Sequence, residues 1–162
     1  MAKQAKETEK TNVMRVLDSK KISYVFHTYE ADPTLTGEEI AGILKEPADH
    51  VFKTLVTQGK SNRNYVFVIP VGAELDLKKA AKAVGEKSVE MIHQKELLPL
   101  TGYVHGGCSP IGMKKAFPTL IHETASGMDR IFVSAGRVGA QIELDAEALR
   151  KTVSAQYADL IR

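Results

Sequence analysis

The 162-residue chain has a single cysteine, Cys108, a net charge of only +2, and no apolar run close to a membrane span, which takes about eighteen residues or more. A lone cysteine excludes an intramolecular disulfide, which fits a reducing compartment and makes the cytoplasm the expected location. The missing apolar run argues against membrane insertion. Met1 to Lys10 carry lysines with no apolar segment behind them, so they do not read as a secretory signal. A flexible lead-in over 1–10 and one domain over 11–162 are expected. The low net charge gives no strong positive field over the whole surface, so contact with a polyanion has to be local. Repeats and low-complexity tracts are also missing. His27, His50, His93, His105 and His122 show neither H-x-x-x-H nor paired-cysteine spacing, so no metal and no other cofactor is expected.

What is present suits one globular core, with 43% hydrophobic and 26% charged residues. After Asn12, an N-cap type, Val13, Val16 and Leu17 recur at helical spacing, and Ile22 to Phe26 shift to an extended pattern. Thr36 and Glu39 form a capping box ahead of Ile40, Ile43 and Leu44, and Pro47 ends that helix. Val51 to Thr57 and Tyr65 to Val71, separated by a polar loop, predict a β-hairpin. Asp76 caps a helix carrying Leu77, Ala80, Ala81 and Val84, which Gly85 closes. Val89 to Leu100 shows no clear period. A glycine-rich segment from Thr101 to Gly112 leads to short strands near Thr119 to His122, Arg130 to Ser134 and Ala140 to Leu144. Leu149, Val153, Tyr157, Leu160 and Ile161 predict one or two closing helices with a break near Ser154. This order lacks the strict alternation of a doubly wound sheet, so an α+β domain around a mixed, barrel-like sheet is expected.

Several residues have two readings on local grounds. Lys53 stands in the apolar, β-branched run Val51-Phe52-Lys53-Thr54-Leu55-Val56, and alternation puts it on one face with Val51, Leu55 and Thr57. It is either a strand-edge lysine with its stem on apolar surface or a fixed cation in a cleft, able to hold a phosphate or polarise a carbonyl. Gly106 and Gly107 make either a plain turn or a loop whose backbone approaches a ligand closely. Cys108 is either a packed thiol or, with His105 nearby, a nucleophile, although nearness in sequence positions no base. Lys78, Lys79, Lys82 and Lys87, with Lys114 and Lys115, are either solvated faces or patches for a few phosphates of an RNA.

Taken together, His27-Thr28-Tyr29-Glu30, Phe52-Lys53-Thr54-Leu55, Leu77 to Lys82, Gly102 to Gly112 and Ile131-Phe132-Val133-Ser134 resemble, in order, the YbaK/EbsC group of prolyl-tRNA editing domains. The resemblance runs from about Val13 to Ile161. It implies a compact α+β fold with a barrel-like sheet and a deacylase that removes wrongly attached cysteine from tRNA(Pro), with prolyl-tRNA synthetase as partner. By matching position it makes Lys53 the essential residue. It makes Gly106 to Pro110, with Gly107 and Ser109, the substrate loop, and Tyr29, Thr54 and Ser134 pocket residues. The mechanism it implies needs no enzyme nucleophile: the substrate's own thiol attacks its ester carbonyl. Holding such an intramolecular attack in place can be worth an effective molarity of about 10⁵ M or more. Two positions depart from the pattern: Gln141 stands where some relatives place an acidic residue, and Cys108 where an aliphatic one is expected. Related domains act on alanyl-tRNA(Pro), and a non-catalytic module binding tRNA or a synthetase is a further alternative. Oligomeric state is not legible in the sequence.

Overall fold

The computed structural model describes residues 10–162, and most of the expected lead-in, residues 1–9, lies outside them. Helix α1 (Asn12–Ser19) starts one residue earlier than its sequence suggests, because Thr11 Oγ1 accepts a hydrogen bond from Met14 N at 3.3 Å. Asn12 instead donates from Nδ2 to Gly112 O at 2.9 Å, tying the helix to the glycine-rich segment. Strand β1 (Tyr24–Thr28) follows. In helix α2 (Gly37–Leu44) the predicted capping box is complete: Thr36 Oγ1 accepts from Glu39 N at 3.1 Å, and Glu39 Oε1 accepts from Thr36 N at 2.9 Å. A short 3₁₀ turn over Ala48–His50 then leads into the predicted hairpin. Its strands, β2 (Phe52–Gly59) and β3 (Asn64–Pro70), pair antiparallel from Phe52 opposite Pro70 to Gln58 opposite Asn64.

Helix α3 (Leu77–Val84) is capped by Asp76, whose Oδ1 accepts from Lys78 N and Lys79 N at 3.0 Å each. The stretch without a clear period holds strand β4 (Val89–Met91) and helix α4 (Gln94–Thr101). Pro99 inside α4, with no N–H to donate, explains why that helix left a poor signature. Strands β5 (Thr119–His122), β6 (Arg130–Ser134) and β7 (Ala140–Asp145) match the expected ones closely.

At the C-terminus only helix α5 (Ala146–Thr152) is helical. Ser154, at φ 53°, breaks the chain, and Gln156–Ala158 form strand β8 beside β5, correcting the expectation of helix up to Ile161. Pairing with a sheet edge outweighs a helical spacing that rests on so few apolar residues.

The strands form two sheets, ordered β1-β7-β6 and β4-β2-β3-β5-β8, the second mixed because β5 runs parallel to both β3 and β8. They do not close into the barrel-like sheet that the resemblance implies. The sheets meet at a single parallel bridge between Val51 and Phe132. The α+β class holds, with five helices of seven or eight residues among the described residues around two sheets. The main core joins Phe52, Val56, Val66 and Ile121 of the larger sheet to Ile131, Val133, Ile142 and Leu144 of the smaller, with Val13 and Leu17 of α1. On the far face of the larger sheet, Phe67, Ile69 and Leu120 pack with Ala80 and Ala81 of α3. Each fully buried large side chain contributes about 1.5–3 kcal/mol relative to exposure, which fixes how the two sheets sit.

Candidate active site

The sheet pattern leaves a gap beside β2. Strand β4 pairs with it only at Thr57, Gln58 and Gly59, so the stretch from Phe52 to Leu55 has β3 on one edge and no paired strand on the other. That edge faces β6, and after the Val51–Phe132 bridge the pairing is not continued. A pocket of about 280 Å³ opens there. Phe52, Lys53, Thr54 and Leu55 of β2 form one wall, and Ser134 of β6 and Gln141 of β7 stand across from them. Leu35, Thr36, Gly37 and Ile40 come from the start of α2, Leu97 from α4, and His105, Gly106 and Cys108 from the glycine-rich segment. Gly37 lets α2 come this close, since a Cβ there would lie 2.5 Å from Val71 Cβ.

Lys53 is half-buried, and its Nζ donates to Val71 O at 3.3 Å. Burial lowers its pKa from the ordinary 10.5, while Glu38 and Glu74 pull the other way. The result is a partly dehydrated cation on the pocket wall, where its field is stronger than in water. Ser134 Oγ accepts from Gly136 N at 3.2 Å, which leaves its hydroxyl proton to donate. The Cys108 thiol is pushed up to about 12 by burial, against a hydrogen bond with Thr101, so at neutral pH it stays protonated. A protonated thiol is a poor nucleophile.

Of the site residues that the resemblance implies, Lys53, Thr54, Gly106 and Ser134 converge on this pocket. Tyr29 does not line it, but its phenol lies beside the side chain of Gln141, which does. Gly107 is buried behind the wall and its N–H donates to Val104 O at 3.0 Å. Ser109 is fully buried with Oγ accepting from Ile111 N at 3.3 Å, and Pro110 borders a separate cleft. Nothing in the sequence marked Leu35, Ile40 or Leu97 as pocket residues, since an apolar residue looks the same in a pocket wall as in a core. Thr36 was visible only as a cap. Of the basic groups, Lys79 is held by Asp159 at 2.8 Å and by Ile161 O at 2.7 Å, while Lys78, Lys82 and Lys87 are exposed.

Among the described residues, two buried side-chain polar atoms lack a hydrogen-bond partner: Thr54 Oγ1 and Gln141 Oε1. Both residues line this pocket. An orphaned buried polar atom costs about 1–3 kcal/mol, so a polar partner that reaches either atom is favoured. No helix among the described residues is long and apolar enough to cross a membrane, and no group of metal-ligating side chains occurs among them.

Comparison with known proteins agrees with this fold. A protein of Enterococcus faecalis provisionally named Cys-tRNA(Pro)/Cys-tRNA(Cys) deacylase EbsC is 47% identical over 161 residues, covering 99% of this chain and 98% of that one. A solved structure described, also provisionally, as a trans-editing enzyme for prolyl tRNA synthetase superposes with a TM-score of 0.81 at 25% identity, covering 93% of this chain and 95% of its own. The structure of hypothetical protein APE2540 shares the fold, with a TM-score of 0.86 at 22% identity over 94% of this chain and all of that one. The aminoacyl-tRNA editing domain family matches residues 31–152, a span that takes in the pocket from Leu35 to Gln141. With that match and a relative sharing nearly half its residues over the full length, the chain belongs to the aminoacyl-tRNA editing domain family.

Proposed function

We propose that this chain is a trans-editing deacylase that removes mischarged cysteine from tRNA(Pro) in the cytoplasm, with prolyl-tRNA synthetase as partner. The observation that carries the reading is the pairing of a half-buried Lys53 ammonium with a pocket cysteine held protonated. Such a site positions and polarises but has no thiolate of its own. A cysteinyl ester supplies the missing nucleophile. Its thiol sulfur bonds to the ester carbonyl carbon, the carbon–oxygen bond to the terminal ribose breaks, and the thiol proton ends on the departing ribose oxygen. A cyclic thiolactone is released with free tRNA.

Lys53 stabilises the developing oxyanion or the terminal phosphate, and a preorganised donor in this position is worth about 10²–10³ in rate. Ser134 donates to the aminoacyl end, Thr54 and Gly106 shape the space around it, and Tyr29 acts through Gln141. Gly107, Ser109 and Pro110 hold the loop that carries Gly106. The names of the Enterococcus relative and of the trans-editing structure support cysteine and the synthetase partnership. A separate editing site is useful because a synthetase pocket discriminates poorly between small side chains of similar size.

The test is deacylation of cysteinyl- and alanyl-tRNA(Pro), with and without prolyl-tRNA synthetase. Cysteinyl ester loss well above its spontaneous rate is expected, falling about 100-fold or more in Lys53→Ala and little in Cys108→Ala. Preference for the alanyl ester would transfer the specificity to alanine. Loss of activity in Cys108→Ala with retention in Lys53→Ala would overturn the mechanism.

A further inference from the structure

Gln141 keeps only 5% of its surface exposed, yet its Oε1 has no partner. Its side chain lies beside the Tyr29 phenol, and Gln141 lies opposite Ser134 of β6 and His27 of β1 in the sheet register. A side-chain carbonyl only accepts, so whatever completes it must be a donor. Thr54, which lines the same pocket, has an orphaned Oγ1 as well, and a hydroxyl can donate or accept.

Connectivity decides which part of the substrate meets these atoms. The terminal ribose continues into the rest of the tRNA and has to stay near the pocket mouth. The aminoacyl group is the free end and alone can reach a position as deep as Gln141. Its strongest donor is the α-amino group.

We propose that Gln141, assisted by Thr54, is the specificity-determining residue that recognises the free α-amino group of the aminoacyl ester. The inference rests on the deacylase reading and deepens it. Recognition of the amino group is separate from the thiol chemistry. It uses a neutral acceptor, so the pocket gains a hydrogen bond to a cationic donor without burying a carboxylate.

The experiment compares cysteinyl-tRNA(Pro) with 3-mercaptopropionyl-tRNA(Pro), which keeps the thiol and lacks the amine. Each rate is taken over that ester's own spontaneous loss. The wild-type protein should prefer the cysteinyl ester by about 10- to 100-fold in kcat/KM, the range for one hydrogen bond to a charged group. The preference should collapse in Gln141→Met, which is similar in size and has no acceptor. Thr54→Val should reduce it in part. Gln141→Glu, which keeps the acceptor and adds charge, should widen it, and this variant carries the test if Gln141→Met does not fold. Equal loss on both esters in Gln141→Met would mark a structural role and overturn the inference, as would an unchanged preference in Gln141→Met or in Gln141→Glu. A wild-type protein that accelerates the cysteinyl ester without preferring it overturns the inference alone. One that accelerates neither ester overturns the deacylase reading too.

Discussion

Lys53 and Cys108 show how far a side chain's chemistry depends on where the fold puts it. Both line the same pocket and both are shifted by burial, but in opposite chemical directions. Removing water disfavours whichever form is charged, so the lysine is drawn toward a lower pKa and the thiol toward a higher one. Glu38 and Glu74 offset part of the dehydration of the lysine. The cysteine stays neutral, which makes it slow toward alkylating agents. Iodoacetamide at pH 7.5 should label the native protein about tenfold or more slower than the urea-unfolded chain, since an ordinary thiol has a pKa near 8.5. Native labelling as fast as in urea would show an ionised, reactive thiol and reopen the nucleophile reading.

At the scale of elements, the site depends on a short strand and a tight loop. Because β4 covers β2 only at its far end, the near end keeps an open edge for the pocket. The glycine-rich segment then passes behind that wall at very close range. A Cβ on Gly107 would lie 2.9 Å from the backbone of Arg137 and Val138, atoms that cannot rotate away. Gly107→Ala should therefore cost about 1–3 kcal/mol of overpacking strain. In thermal unfolding that is about 2–4 °C of Tm per kcal/mol for a chain of this size. Gly127→Ala, with nothing within 4 Å, is the control and should leave Tm nearly unchanged. Equal Tm values for the two variants would mean that the loop relaxes freely.

For the whole molecule, the closing segment ties stability to pH. His122 on β5 keeps only 3% of its surface, and its Nδ1 accepts from Leu160 N at 3.2 Å. Burial holds its pKa below the ordinary 6.5, with Asp159 and Glu123 opposing. As pH falls below 6.5 the unfolded chain takes up this proton before the folded one does, so stability drops through the window down to the folded pKa. The slope from one group is at most about 1.4 kcal/mol per pH unit. Urea unfolding at pH 7.5 and 5.5 should show this loss in the wild type and a smaller one in His122→Asn, whose amide oxygen accepts from Leu160 without titrating. Equal losses would remove His122 from the account.

The sequence alone determined what depends on near neighbours and on order along the chain. The caps at Thr36 and Asp76, the hairpin from Phe52 to Pro70 and the family-like succession of short blocks needed no knowledge of the fold, because turn chemistry and strand alternation act over a few residues. It did not reach β8, where pairing with β5 outweighed a helical spacing, nor α4, whose pattern Pro99 interrupts. Lys53 was legible as a cation in an apolar run, but its two local readings could not be separated. Only the tertiary structure placed it beside Ser134, Gln141 and the start of α2, residues up to 88 positions away along the chain. The reason is physical: a pocket forms where two sheets stop pairing, and where that happens is set by packing across the whole core.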